Sequence, residues 1–427
     1  MGDTPMPSVI QKTPIRRAAG KILPCEKFMS VVHSPQRFET AQGVVHVATR
    51  REIESRESWK LALSRAFPGL RKDSRYYHIV EETILQGFEY RYFVLEDKAG
   101  RVRAVQPFFL LAQDLVAGAG NVILGAVRPI RKMFSKFLTL RTLMMGCAAG
   151  EGHLDGDGVE HGRWIAAMLH EALPRIARSV KASMVVLKEF PSGYRQQLQA
   201  FAGNGYTRIP SLPMTRLSID YANFEEYMTK ALSKVTRKGL RRKFKATLDA
   251  DPITLEVLED ISPFVDEVHA LYMNVYNRSK MHFEKLTKEY LCRLGQEMPD
   301  KTRFFLWRQN GRLVAFSLCM LQGDSIYDEY LGLDYTVALD LHLYFHTLRD
   351  VISWAMDHGM KWYCSSALNY DPKLHLKSDL APLDLYVGHT SKIANFVLKR
   401  VLPWMEPTRG DKVLKQFKTY PLLWGDE

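Results

Sequence analysis

Several features are missing from this 427-residue chain. Its five cysteines, Cys25, Cys147, Cys292, Cys319 and Cys364, form no Cys-x-x-Cys pair. An odd, scattered set suits free thiols in a reducing compartment better than a disulfide framework or a zinc site, and no metal is expected. No run approaches the roughly 20 apolar residues of a transmembrane helix. The nearest, Leu115–Val127, is short and broken by glycines and Asn121. Arg16-Arg17 precedes a stretch too short for an export signal and interrupted by Lys21 and Pro24, so a cytoplasmic location is expected. The turn around Gly146–Gly158 lacks a P-loop Gly-Lys-Ser/Thr and a dinucleotide pattern, and no His-Glu-x-x-His helix or supported Ser-His-Asp or Cys-His signature occurs. Nucleotide, zinc-hydrolase and triad chemistry are disfavoured. Acid is also in deficit: 59 Lys and Arg face 47 Asp and Glu, a net charge of +12, which points to an anionic partner such as a cofactor phosphate, a tRNA or an anionic lipid surface.

What is present reads as a folded α/β chain. With 46% hydrophobic and 25% charged residues, its length favours two domains. Residues 1–40 mix proline, basic and polar residues without periodicity and read as a flexible leader. Gly43–Ala48 reads as a strand and Glu52–Phe67 as a helix. Tyr90–Leu95 and Val102–Leu111 read as a hairpin turning at Gly100. Arg303–Trp307 and Leu313–Leu321 repeat that hairpin, and Gly100-Arg-Val-Arg-Ala104 can be laid on Gly311-Arg-Leu-Val-Ala315. Each hairpin is followed by a strand (Arg141–Gly146; Ser325–Asp334), a helix (His161–Ser179; from Leu341 to a stop at Gly359) and a further strand (Ala182–Phe190; Lys361–Leu368). The order implies two copies of one unit, 41–220 and 253–400, joined by a basic helical segment, 221–252, and followed by a tail, 401–427.

Candidate chemistry concentrates in Ser325–Lys373. The strand there carries adjacent carboxylates, Asp328 and Glu329, which a purely structural strand has no reason to hold. As strand neighbours they face opposite ways, so one of them can look into a given cleft. Glu329 is preferred as a general base, Asp328 is held in reserve, and pairing of Glu329 with a nearby Arg or Lys is the bland alternative. Asp334 reads as a turn carboxylate. Tyr330, Tyr335 and Tyr370 are candidate proton donors, with Tyr370 favoured for its polar turn; packing is the ordinary role of each. Asn369 and Lys373 lie in that turn, and Lys373 suits a phosphate or carboxylate. His342 and His346 stand one helical turn apart without a third metal ligand, which leaves a substrate-facing or packing role. Glu151 and His153 fall in the glycine-rich turn of the first copy, as cleft lining or ordinary loop. Between the copies, Arg237, Arg241 and Arg242 stand in a Lys/Arg-rich helix that either binds phosphates or presents a solvated face.

Hairpin, central strand, helix and further strand resemble the acyltransfer unit of the Gcn5-related acetyltransferase (GNAT) superfamily. Two copies joined by Leu232-Ser-Lys-Val-Thr-Arg-Lys-Gly-Leu-Arg-Arg-Lys243, with Tyr330-Leu-Gly-Leu-Asp334, Asn369-Tyr370 and Lys373, resemble its tandem subgroup, the CelD/BioF2-like and FemA/FemB transferases. The resemblance spans roughly residues 41–398. It implies an α/β fold with mixed sheets in two tandem GNAT-like domains of FemAB-like architecture. It further implies an N-acyltransferase moving an acyl group from acyl-CoA or an acyl carrier thioester to an amine by direct attack in a ternary complex, with the second copy catalytic. The expected acceptor is a small-molecule, lipid or cell-envelope precursor amine, and the expected partners include an acyl carrier protein or tRNA. Two alternatives are an aminoacyl-tRNA-dependent Fem-like transferase and a non-catalytic binding module. One departure bears on the donor. GNAT enzymes cradle the coenzyme A pyrophosphate on a glycine-rich turn at a helix N-terminus, and the corresponding Tyr335-Thr-Val-Ala-Leu-Asp340 has no glycine.

Overall fold

The structure, a computed structural model, describes residues 35–114, 139–279 and 282–425. The leader through residue 34, which includes Cys25, and the whole apolar stretch Leu115–Val127 lie outside the described residues. In chain order the first strands are β1 (Gln36–Thr40), β2 (Gly43–Ala48), β3 (Glu89–Asp97), β4 (Val102–Asp114), β5 (Thr139–Met145), β6 (Met184–Pro191), β7 (Thr207–Pro210) and β8 (Met214–Ser218). They continue as β9 (Ile253–Leu258), β10 (Thr302–Gln309), β11 (Arg312–Gln322), β12 (Ser325–Leu333), β13 (Trp362–Ser365), β14 (Asp379–Ala381) and β15 (Leu383–His389). They form an eight-stranded sheet ordered β1-β2-β3-β4-β5-β6-β15-β7 and a seven-stranded sheet ordered β14-β8-β13-β12-β11-β10-β9.

The two sheets are built alike. In each, an antiparallel hairpin (β3–β4; β10–β11) pairs with a third strand (β5; β12), and a helix (Gly158–Ser179; Leu343–Asp357) carries the chain to a strand parallel to the third (β6; β13). The fold is therefore mixed α/β in two tandem GNAT-like units. The sheets also exchange strands: β15 lies between β6 and β7 in the first sheet, and β8 pairs with β13 in the second. One core draws on both copies, with Tyr76, Phe109 and Met144 packed among Tyr290, Phe304, Phe316 and Leu318. The crossover helices cover the other faces, Gly158–Ser179 over the first sheet and Leu343–Asp357 over the second.

Local chemistry explains where the elements depart from the sequence pattern. Gln36–Thr40 alternates in burial and pairs with β2, so the first sheet starts inside the stretch expected to be leader. Glu52–Phe67 is two helices, Arg50–Glu54 and Glu57–Arg65, because Arg56 is extended between them. The basic segment is likewise two helices, Phe224–Ala231 and Lys234–Lys245; Ser233 is extended and its side chain accepts from Thr236 N, so it caps the second helix rather than continuing the first. Tyr370–His375 is a short helix rather than a turn, entered through left-handed Leu368 (φ 76°) and Asn369 (φ 49°). Among the described residues no helix is long and apolar enough to cross a membrane.

Candidate active site

The central strand β12 carries the site, and its geometry is set by a bulge. The register with β11 passes from Cys319↔Asp328 to Leu318↔Tyr330, leaving Glu329 as the extra residue. Parallel pairing with β13 runs from Ser325↔Trp362 to Asp328↔Ser365, while β12 continues to Leu333. The two parallel strands therefore part at Asp328. In the first copy the equivalent pairing ends at Met145↔Leu187, where β5 itself ends.

Asp328 and Glu329 face opposite ways, and their environments differ. Glu329 is enclosed by cations: Arg71 Nε donates to its Oε1 at 2.7 Å and Lys72 Nζ to its Oε2 at 3.4 Å. Both cations also reach Glu151, Lys72 Nζ at 2.6 Å and Arg71 as an ion pair. The Arg71 guanidinium lies 3.6 Å from the Tyr327 ring centroid. Two positive and two negative groups thus alternate in a buried quartet that ties the first copy to β12. Arg71, Lys72 and Glu151 are almost wholly buried. These cations hold Glu151 well below the usual carboxylate range. His153 bonds Glu151 at 3.1 Å, and burial pulls its pKa down despite that partner. Glu329 is thus bound in an ion cluster, the pairing with Arg and Lys that the sequence left as the alternative.

The glycine-rich turn is part of that cluster. A Cβ on Gly150, at φ 110°, would fall 2.0 Å from Lys72 Nζ, so this position stays bare to admit the ammonium. Glu151 and His153 are consequently buried groups and not mobile loop residues. Arg71 and Lys72 were invisible to sequence reasoning because Leu70-Arg-Lys-Asp-Ser74 reads as an ordinary solvated loop.

Asp328 opens onto the fork. Ser317 Oγ donates to its Oδ1 and Tyr363 OH to its Oδ2 at 2.7 Å. Burial nonetheless raises its pKa, outweighing those bonds and the nearby positive charge of Lys373. Lys373 is buried, donates to Ser366 O, and has its pKa pulled down to about 8 by burial against the opposing pull of Asp328. Asn369, at the start of the short helix Tyr370–His375, is exposed. A carboxylate biased toward holding a proton and a lysine biased toward losing one thus lie within electrostatic reach of each other near the end of β13. Sequence reasoning named Asp328, Asn369 and Lys373 and missed Ser317 and Tyr363, which it read as strand packing.

The remaining candidates lie elsewhere. Tyr370 OH donates to Pro213 O at 2.8 Å and its ring packs edge-on to Phe417. Tyr370→Phe is accordingly expected to cost about 1 kcal/mol of stability in a denaturant titration and to leave turnover within about threefold. Tyr330 OH donates to Glu284 at 2.7 Å, and burial drives its pKa far up, so the hydroxyls of both tyrosines are already engaged by protein acceptors. Asp334 accepts from Thr336 N at 3.0 Å and pairs with Arg312, as a turn carboxylate does. Tyr335 lies under Arg278, 3.7 Å from ring centroid to guanidinium. His346 Nε2 meets Thr247 Oγ1 at 3.0 Å and its ring packs edge-on to Phe244; burial lowers its pKa, as it does that of His342 beside Lys243 and Arg242. Both histidines thus turn toward the basic helix. Among the described residues no group of three or more His, Cys, Asp or Glu is placed to hold a metal ion.

In that helix Arg237 donates to Thr229 O at 2.8 Å, Arg241 pairs with Glu225, and Arg242 is exposed. The turn before Leu343–Asp357 uses its own amides: Val337 N and Ala338 N donate to Asp334 O, Leu341 N to Val337 O, and Leu343 N to Ala338 O. Those N–H groups are spent within the turn and do not face outward as a phosphate cradle requires.

A model of the FemAB-like family, described as peptidoglycan biosynthesis/recognition, matches residues 154–368, half of the chain. The solved structure of FemX superposes with a TM-score of 0.50 at 11% identity, covering 85% of this chain and 100% of that one. L-PGS from Bacillus licheniformis gives 0.46 at 12% identity, covering 79% and 97%. A tandem GNAT protein from the clavulanic acid biosynthesis pathway gives 0.42 at 10% identity, covering 81% and 99%. These likenesses concern the fold. No curated protein matches the sequence.

Proposed function

Because the chain belongs to the FemAB-like family and is an acyltransferase, we propose that it forms an amide at the β12–β13 fork by direct attack of an amine on an activated acyl group. The carrying observation is the parting of the strands at Asp328, a carboxylate electrostatically coupled to the buried Lys373. Beyond the fork β12 keeps a backbone edge no longer paired to β13, which suits donors for the oxyanion of a tetrahedral intermediate. An amine arrives protonated and must lose that proton before attack. Asp328 and Lys373 titrate as a pair, and a Lys373 pKa near 8 puts a proton acceptor close to working pH. The first copy shapes the acceptor pocket and braces β12 through Arg71, Lys72 and Glu151. The FemAB-like description favours a cell-envelope precursor amine as acceptor.

Two donors fit this chemistry. An acyl-CoA or carrier-bound thioester supplies a good leaving group without further activation. The self-bonded turn at 334–343 favours a second reading, aminoacyl-tRNA, since a tRNA needs no pyrophosphate cradle there and the exposed helix Lys234–Lys245 offers cations. Titrations with acyl-CoA and with charged tRNA separate them. For the thioester, the melting temperature climbs with acyl-CoA concentration. For tRNA, log K falls steeply with log salt, and neutralising Arg237, Arg241 and Arg242 flattens the slope by up to about 3 units. Silence in both titrations, together with full turnover on some third carrier, would remove both donors.

A further inference from the structure

The helix Lys392–Met405 departs from the usual order of a surface helix. It leans on the β15–β7 edge of the first sheet through its half-buried Ala394, Asn395, Leu398 and Leu402. Asn395 anchors it, donating to Gly205 O at 2.7 Å and accepting from His389 N at 2.9 Å. No residue of the helix is fully buried. Its outward side is apolar: Ile393 is 80% exposed, Phe396 60% and Trp404 87%, with Val397 and Met405 beside them. Ile393, Val397 and Trp404 fall on one stripe of helical spacing, so the apolar face looks into solvent.

We propose that this face docks on an anionic membrane surface. Charge selects that occupant. Residues 390–405 carry Lys392, Lys399 and Arg400 and no Asp or Glu. Arg400 lies in the middle of the apolar stripe, its guanidinium 3.5 Å from the Phe396 ring centroid. Its stem thus follows the apolar face; Nη1 donates to Phe396 O at 3.2 Å, and the exposed head keeps further N–H donors for a phosphate. A second copy meeting the same face about a two-fold axis would set Arg400 against like charge with no carboxylate on the helix to receive it. A headgroup layer instead supplies phosphates for the three cations and an apolar boundary for Phe396 and Trp404. The inference stands apart from the choice of acyl donor.

The test is vesicle flotation of the full chain on phosphatidylcholine, with and without phosphatidylglycerol. Wild type is expected to float with the anionic vesicles at low salt and to remain below with the neutral ones. Phe396→Ser/Trp404→Ser and, separately, Lys399→Glu/Arg400→Glu are each expected to weaken binding by about tenfold or more. Because these side chains point outward, the melting temperature should not move, which separates lost docking from lost folding. Equal flotation of wild type and both variants overturns the proposal. So does a wild-type dimer that Trp404→Ser dissociates, which gives the face to a second copy. Failure of the wild type to float on anionic vesicles also overturns it.

Discussion

Asp328→Asn is expected to lower turnover by about 10²–10⁴-fold, the usual span for loss of a positioned acid or base. Asparagine preserves the shape of the side chain; its oxygen can still accept from one of Ser317 and Tyr363 while its NH2 donates to the hydroxyl oxygen of the other, so the fold should survive. What disappears is the negative charge. That charge raises the Lys373 pKa against the lowering effect of burial, so its removal lets the pKa fall below about 8. The wild-type rate should therefore rise with pH through an apparent pKa near 8, and the same limb should move to lower pH in Asp328→Asn. Lys373→Met should abolish it. The sign on stability follows separately. The folded Lys373 pKa lies below its ordinary 10.5, so the unfolded chain holds more protons between about 8 and 10.5, and this group makes stability rise with pH across that window. A turnover within threefold of wild type, with the limb unmoved, rejects the Asp328–Lys373 pair as the proton acceptor.

Glu329→Gln should act first on stability, with a loss of about 3–5 kcal/mol in denaturant titration. The quartet of Arg71, Lys72, Glu151 and Glu329 is neutral as a whole, and each cation touches both carboxylates. Deleting one carboxylate leaves a net positive charge in a site with almost no water. Restoring neutrality should restore much of the loss, so Lys72→Met/Glu329→Gln is expected to be more stable than Glu329→Gln alone. The coupling is expected to exceed about 1 kcal/mol in a double-mutant cycle. The cluster also has an acid limit. Glu151 is depressed well below its ordinary 4.5, so its contribution is fully present above that value and disappears as pH falls toward its folded pKa. Additive single and double variants, or a loss under 1 kcal/mol, would show that the quartet is not what braces β12.

Local patterns made much of the fold legible. The hairpins at Gly100 and Gly311, the crossover helices and the central strand at Ser325 were readable because turn glycines and the 2.0 and 3.6 residue periods are properties of short windows. The paired carboxylates were readable as an anomaly for the same reason: a half-buried strand does not carry charge without a partner. Their assignment was not readable. Which of Asp328 and Glu329 meets a cation depends on Arg71 and Lys72, more than 250 residues away in the chain.

The sequence by itself therefore determined the repeated α/β plan, the unusual pair of carboxylates in the second copy's central strand, and the departure at Tyr335–Asp340. Only the tertiary structure decided that β8 and β15 cross between the sheets, that Glu329 is bound in an ion cluster, and that Asp328 ends the β12–β13 pairing within electrostatic reach of Lys373. The physical reason is range. Periodicity and capping act over a few residues, whereas the pairing and desolvation of charges are fixed by whichever distant groups the folded chain brings within 3–4 Å.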